Sequence, residues 1–228
     1  MCLYKMQNLI IGTIMAVVVV YLTYHTYRLF IPPTCNIDAC YSQDVIVSLT
    51  TIPSRIALCH PMIESFFDQT CPPQKVVLNI PIKYSERFTD QKIVIPESIQ
   101  SDPRIVVNRT RQDYGPATKV LGLRDWSGLT PDTIVLVTDD DTRKTRSWSC
   151  VLQQYIRDTP NGVCTLHHNE VYGGRGFGFR ASTLNLDDVA EELQRRPECR
   201  LVDDDFFTLY CRMKDIPIRF IPFSKSYR

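Results

Sequence analysis

The stretch that most restricts what this chain can fold into is Asp132–Asp141, DTIVLVTDDD. Ile134, Val135, Leu136 and Val137 form a short apolar run, bounded by Pro131 before it and by acids after it, and this reads as a buried strand. Three carboxylates follow at its carboxyl end. A buried carboxylate without a partner is very costly, so the group must be solvated, paired with cations or bound to a metal. In open α/β sheets, ligands sit outside the carboxyl ends of the strands. If the extended geometry continues, Asp139 and Asp141 share one face. Two such carboxylates suit a hard divalent ion, Mg2+ or Mn2+, which takes a few carboxylates together with substrate phosphates. A solvated acidic turn is the plain alternative, and the rest of the chain decides between the two.

Other segments supply a sheet for that strand. Val45–Leu49 reads as a first strand, followed by a loop, Thr50-Thr51-Ile-Pro-Ser-Arg55, that offers hydroxyls, backbone amides and a guanidinium to a nucleotide or phosphate. Residues 58–69 have helical spacing, and Lys75–Ile82 is a second strand. Strand, helix and strand within about forty residues imply a right-handed βαβ unit and a parallel sheet. Arg104–Asn108 is a third strand, and Asn108-Arg-Thr110 matches a glycosylation sequon. Asp113-Tyr-Gly-Pro-Ala-Thr-Lys119 then turns into a helix whose start can face an anion. Lys119 is expected to reach a phosphate there, and Asp113 a base or ribose. Trp148–Arg157 and Thr183–Arg195 are further helices. Gly162–Leu166 is a strand leading into His167 and His168, which would point to opposite faces of an extended strand. Gly173–Gly178 is glycine-dense, fails the GxGxxG spacing, and suits close approach of backbone to a substrate. Asp203, Asp204 and Asp205 open a helix, where the dipole favours negative charge. Ile216–Pro222 is the last strand.

Composition narrows the classes. The chain has 228 residues, and 26 Lys and Arg against 25 Asp and Glu give a net charge of +1. No basic stripe speaks for nucleic acid. Nine cysteines with no CxxC pair give no support to a zinc ribbon or a thioredoxin motif. Cys35 and Cys40 are candidates for pairing in an oxidising compartment, with free thiols the alternative. Residues 9–24 carry no charge, and the apolar span extended to Tyr27 is long enough to cross a bilayer. The expected organisation is therefore an N-terminal anchor over residues 1–30 with its amino end in the cytosol, a stalk over 31–43, and a catalytic domain over 44–228.

SLTTIPSR, DYGPATK, TDDD and VDDDFF, in this order, resemble the motifs of a nucleotide-sugar glycosyltransferase of the GT-A fold. The likeness is to small family-2-like enzymes of bacteria, algae and large DNA viruses, and it covers about Asp44–Pro222. It implies a Rossmann-like α/β/α sandwich of three layers, mostly parallel with an antiparallel strand. It also implies roles. Thr50, Thr51, Arg55, Asp113, Lys119, Asp139 and Asp140 would bind the donor, a UDP-sugar by preference. Asp139 and Asp141 would hold Mn2+ or Mg2+. Gly173, Gly174 and Gly176 would lie near the transferred sugar and the acceptor, a glycan, glycoprotein or lipid. Asp204 would be the catalytic base of an inverting enzyme, with Asp203 the second candidate. A nucleotidyltransferase and a non-catalytic membrane-anchored nucleotide-sugar-binding protein are the alternatives. The first normally carries a glycine-rich basic signature near its first strand, which SLTTIPSR lacks.

Overall fold

A computed structural model describes Met15, Val19, Tyr21, Cys40 and residues 44–222 apart from Glu86, Asp90 and Asn169. The expected anchor lies outside the described residues except for Met15, Val19 and Tyr21, which are helical and exposed. Among the described residues, no helix is long and apolar enough to cross a membrane. The stalk, apart from Cys40, also lies outside them.

Seven strands form one sheet in the order β3-β2-β1-β4-β6-β5-β7. They are β1 (Val45–Thr50), β2 (Lys75–Pro81), β3 (Ile105–Thr110), β4 (Ile134–Val137), β5 (Val163–Thr165), β6 (Phe177–Arg180) and β7 (Ile218–Phe220). Only β6 runs antiparallel to its neighbours. The helices are α1 (His60–Phe67), α2 (Glu97–Gln100), α3 (Thr118–Leu121), α4 (Trp148–Arg157), α5 (Leu186–Gln194) and α6 (Asp203–Met213).

The central strands are apolar at almost every position because both faces are covered. Alternate residues go to opposite sides. Val45, Val47 and Leu49 pack with Met62, Ile63 and Phe66 of α1 and with Leu152 and Ile156 of α4. Ile46, Val77 and Val135 pack with Val120 of α3, Val189 and Leu193 of α5, and Phe206 and Phe207 of α6. The result is a Rossmann-like α/β fold with a layer of helices on each face.

The chain order places the site. From β1 the chain steps outward to β2 and β3, then returns to lay β4 on the other side of β1. The strand order reverses between β1 and β4, and such a reversal opens a crevice at the carboxyl ends of the strands. The loop after β1 and the acids after β4 flank that crevice. Because β6 runs backwards, its first residue, Phe177, pairs with the last residue of β4, Val137. The glycine-rich segment before β6 is thereby delivered to the same crevice.

Three expectations change here. The sequon asparagine, Asn108, is buried in β3, and its Nδ2 donates to Asn79 Oδ1 and to the Gly122 carbonyl, each at 2.8 Å. Phe177–Arg180, left without an assignment by its glycines, is a strand. Cys40 forms a disulfide with Cys71 (Cα–Cα 5.3 Å) rather than with Cys35, which lies outside the described residues.

Candidate functional site

The acids after β4 divide by direction. Asp140 turns inward and is buried. Its carboxylate accepts from Thr51 Oγ1 and pairs with Arg55 Nη2 at 2.8 Å. Burial raises its pKa, and the bonds from Thr51 and Arg55 oppose that rise. Asp139 and Asp141 turn outward, their side chains 33% and 55% exposed. Arg55 Nη1 reaches Asp141 Oδ2 at 3.3 Å. The loop after β1 is thus fastened to the acidic loop after β4, across the reversal in strand order.

Lys119 is the hub of the second half of the site. Its side chain is only 2% exposed. Nζ lies 2.7 Å from Asp139 Oδ1, 2.8 Å from Asp203 Oδ2 and 3.9 Å from Asp204 Oδ1. Burial works against its charge, but Asp203, Asp139 and Asp204 outweigh burial and raise its pKa. Within the protein, the Lys119 ammonium joins the acid after β4 to those of α6. Gly173 makes this possible. A Cβ there would stand 2.5 Å from Lys119 Nζ and 2.7 Å from Asp139 Oδ1.

The start of α6 sets Asp203 and Asp204 apart. Phe206 and Phe207, both buried, seat the helix against the sheet. Asp203 faces inward against Lys119. Asp204 keeps its side chain 27% exposed, and its Oδ1 accepts from the Gly173 amide at 2.9 Å. Among the described residues its Oδ2 makes no hydrogen bond. Burial pushes its carboxyl up to about 6; Lys119 opposes this and Asp203 adds to it. Thr208 locks the arrangement: its hydroxyl donates to the Asp204 carbonyl and accepts from the Val171 amide, each at 2.9 Å.

Beside the acids is a cavity of about 670 Å3 including its open mouth. Thr50, Thr51 and Arg55 form one wall, Asp139 and Asp140 the end nearest β4, and Asp113 the far side. Both carboxylate oxygens of Asp113 are engaged by the backbone. Oδ1 accepts from the Gly115 amide and Oδ2 from the Ser85 amide, both at 2.8 Å, which shapes the loop at Gly115. Thr50 Oγ1 donates to the Asn79 carbonyl at 2.8 Å.

Gly174 and Gly176 lie on the segment leading into β6. Gly176 has φ +103°, and a Cβ there would meet the Trp148 ring. His167 and His168 stand apart from the acids, His167 paired with Glu170 at 3.3 Å and His168 edge-on to Phe220.

Several wall residues carried no sequence signal. Tyr84, Arg87, Phe88, Arg200 and Leu201 line the cavity from segments without periodicity. Lys144 is the other omission. Its Nζ donates to the Gly174 carbonyl at 2.7 Å, and burial lowers its pKa to about 8 against the pull of Asp139 and Asp141. Its place five residues past Asp139, in the basic loop TRKTR, was the available signal.

Asp139, Asp140, Asp141, Asp203 and Asp204 gather around Arg55, Lys119 and Lys144, with Arg87, Arg200 and Asp113 on the cavity wall beyond them. Two outward-facing carboxylates beside a cavity fit a divalent ion held by Asp139 and Asp141.

No protein-family model matches this chain, and no curated protein matches it. Among solved structures it is similar to the 2-C-methyl-D-erythritol 4-phosphate cytidylyltransferase of Francisella tularensis, at 14% identity and TM-score 0.48, over 81% of this chain and 91% of that one. It is also similar to the mannosyltransferase PcManGT from Pyrobaculum calidifontis, solved with GDP-Man and Mn2+. That likeness is at 15% identity and TM-score 0.42, over 76% of this chain and 53% of that one, so this chain matches about half the length of the mannosyltransferase.

Proposed function

We propose that this chain is a GT-A glycosyltransferase that moves a sugar from a nucleoside-diphosphate donor to an acceptor hydroxyl, with inversion and with Mn2+ or Mg2+. The observation that carries this reading is the meeting of Asp139, Lys119 and Asp204 next to a polar-lined cavity where the strand order reverses. The cavity takes the nucleoside, a uridine by preference. Asp139 and Asp141 would hold the metal, which supplies positive charge for the departing diphosphate.

The chain's own groups do the rest. Lys119 fixes Asp139 on one side and Asp203 on the other. Gly173, with no side chain, lets the backbone carrying the Asp204 contact come close to that pair. Asp204, its carboxyl pushed up to about 6 and partly open to solvent, takes the proton of the attacking hydroxyl. Asp203, held on Lys119, is less suited to that task. Inversion needs no separate carboxylate nucleophile. The same proposal includes an N-terminal membrane anchor with its amino end in the cytosol, which protease protection in vesicles would check.

The test uses the full chain with UDP-, GDP- and dTDP-sugars in Mn2+, Mg2+ or EDTA, wild type against Asp141→Ala. Metal-dependent binding, with slow release of nucleoside diphosphate that Asp141→Ala abolishes, is expected. Release of pyrophosphate from a nucleoside triphosphate would instead make the chain a nucleotidyltransferase. A folded protein that binds no donor would end the transferase reading.

A further inference from the structure

The loop between the acids after β4 and helix α4 carries three cations, Arg143, Lys144 and Arg146. They line an open cleft with Ser65 and Asp68, at the end of α1. None of these residues lines the cavity beside the acids. Among the described residues, none of the three cations forms a salt bridge, and Asp68 is the one carboxylate on the cleft wall. Arg104, which also reaches α1, is by contrast paired with Glu64 at 2.8 Å and with Asp102 at 2.7 Å. A concave surface lined mostly by cations of one sign draws anions to itself.

The loop that presents these cations is held on two sides. Towards α1, Thr70 N donates to the Arg146 carbonyl at 2.7 Å and Ser149 N to Gln69 Oε1 at 3.0 Å. Towards the glycine-rich segment, Lys144 Nζ donates to the Gly174 carbonyl at 2.7 Å and Trp148 Nε1 to the Arg175 carbonyl at 2.9 Å. An anion that enters the cleft therefore meets a loop already in place, which lowers the ordering cost of binding. Lys144 connects the cleft to the crevice, because the charges of Asp139 and Asp141 also act on it.

We propose that this cleft holds an anionic group of the acceptor saccharide, a phosphate, sulfate or carboxylate. That the ligand is an acceptor rests on the transferase reading; that it is an anion rests on the cleft itself. Guanidinium groups grip such oxyanions through paired N–H donors. The carboxylates of the crevice repel an anionic acceptor, and the neighbouring cations offset that repulsion while holding the charged group clear of Asp204. The cleft is concave and includes a carboxylate, which suits a single small group better than the flat face of a lipid bilayer.

The experiment measures binding to the full chain by calorimetry in EDTA, so that no anion is held through a metal at Asp139 and Asp141. Glucose, glucose 6-phosphate, glucose 6-sulfate and glucuronate are compared on wild type and on the Arg143→Gln, Arg146→Gln double variant. Both arginine side chains are exposed, and Arg146 meets Thr70 through its carbonyl, so neither change removes a core contact. At least one anionic sugar should bind wild type about tenfold more tightly than glucose, and the double variant should lose that advantage. The advantage should also shrink as salt rises. Anionic sugars that bind no better than glucose, or equally well to the double variant, overturn the site. Arginine-dependent binding to phosphatidylglycerol vesicles without any preference for the anionic sugars overturns it in favour of a membrane contact. Donor binding is measured on the same samples and should be equal in both proteins. If no donor binds while the arginine-dependent sugar binding persists, the transferase reading falls and the anion site stands.

Discussion

Asp204 combines two properties that pull in opposite directions. Its folded-state carboxyl titrates near 6, against 3.8 ordinarily, with burial the main cause. The folded protein therefore holds this proton more tightly than the unfolded chain does. The stability it lends is full below about 3.8 and is lost as pH rises through about 6. The ionised form that costs stability is also the form that accepts a proton from an acceptor. Two outcomes follow for Asp204→Asn. Transfer should fall by roughly 10²–10⁴-fold, the usual contribution of a positioned base. In denaturant titrations its midpoint should gain on wild type between pH 4 and pH 7.5, because the amide has no proton to lose; a gap independent of pH would remove Asp204 from this role. In wild type, the transfer rate should climb with pH and level off above about 6.

Lys119 shows what one sequence can and cannot reveal at this scale. The spacing of DYGPATK placed it at a helix start near an anion, and it is indeed beside anions. Those anions are protein carboxylates from β4 and α6, far apart in the chain, so its burial was not legible from its own neighbourhood. Lys119→Met should be destabilising by about 3–5 kcal/mol, since it leaves Asp139 and Asp203 without their buried cation. Thermal unfolding of the variant measures this, and an unchanged midpoint would mean the ion cluster contributes little.

At the scale of elements, the parallel strands were readable and the single reversed strand, β6, was not. β1, β2 and β4 are apolar runs with turn residues at their ends, and each announces itself. β6 is four residues, Phe177-Gly-Phe-Arg180, directly after a glycine-rich stretch, and glycine weakens a strand signal. Its reversal brings Gly173 to the end of β4, so the missed strand is the one that completes the site. The cavity wall at Tyr84, Arg87 and Phe88 was equally silent because these residues belong to no regular element, and its place is set by contacts such as Tyr84 Oη donating to the Thr51 carbonyl at 2.9 Å. The element-level prediction concerns Gly173→Ala. The added Cβ would displace an ammonium that is buried and ion-paired, so the cost should resemble overpacking, about 1–3 kcal/mol. It should also weaken metal-dependent donor binding as well as slow transfer, because the added Cβ meets Asp139 while the Asp204 contact moves. Calorimetry of donor binding beside steady-state rates checks this, and a loss of neither would contradict this placement.

For the whole molecule, the informative quantity is where the charge sits rather than how much there is. A net charge of +1 predicts nothing about ligands, yet five carboxylates are gathered in one crevice of that nearly neutral chain. Asp139 is held on Lys119 and Asp141 lies near Arg55, and both side chains keep a face open to solvent. A divalent cation on that open face relieves the repulsion between them. Ions that bind only the folded state stabilise it by RT ln(1 + [L]/Kd), about 2.7 kcal/mol at a hundredfold excess over Kd. In a chain of this size that is a rise in Tm on the order of 5–10 °C. Mn2+ should therefore raise the Tm of wild type, EDTA should reverse the rise, and Asp141→Ala should remove most of it. Adding the nucleoside diphosphate with Mn2+ should raise Tm further than either alone, because the diphosphate restores the anionic oxygens that the ion still lacks. Were Mn2+ to leave Tm unchanged in wild type, the repulsion would have to be met by protonated carboxylates, with Asp204 and Asp140, whose pKa values are already raised, the first to carry the protons.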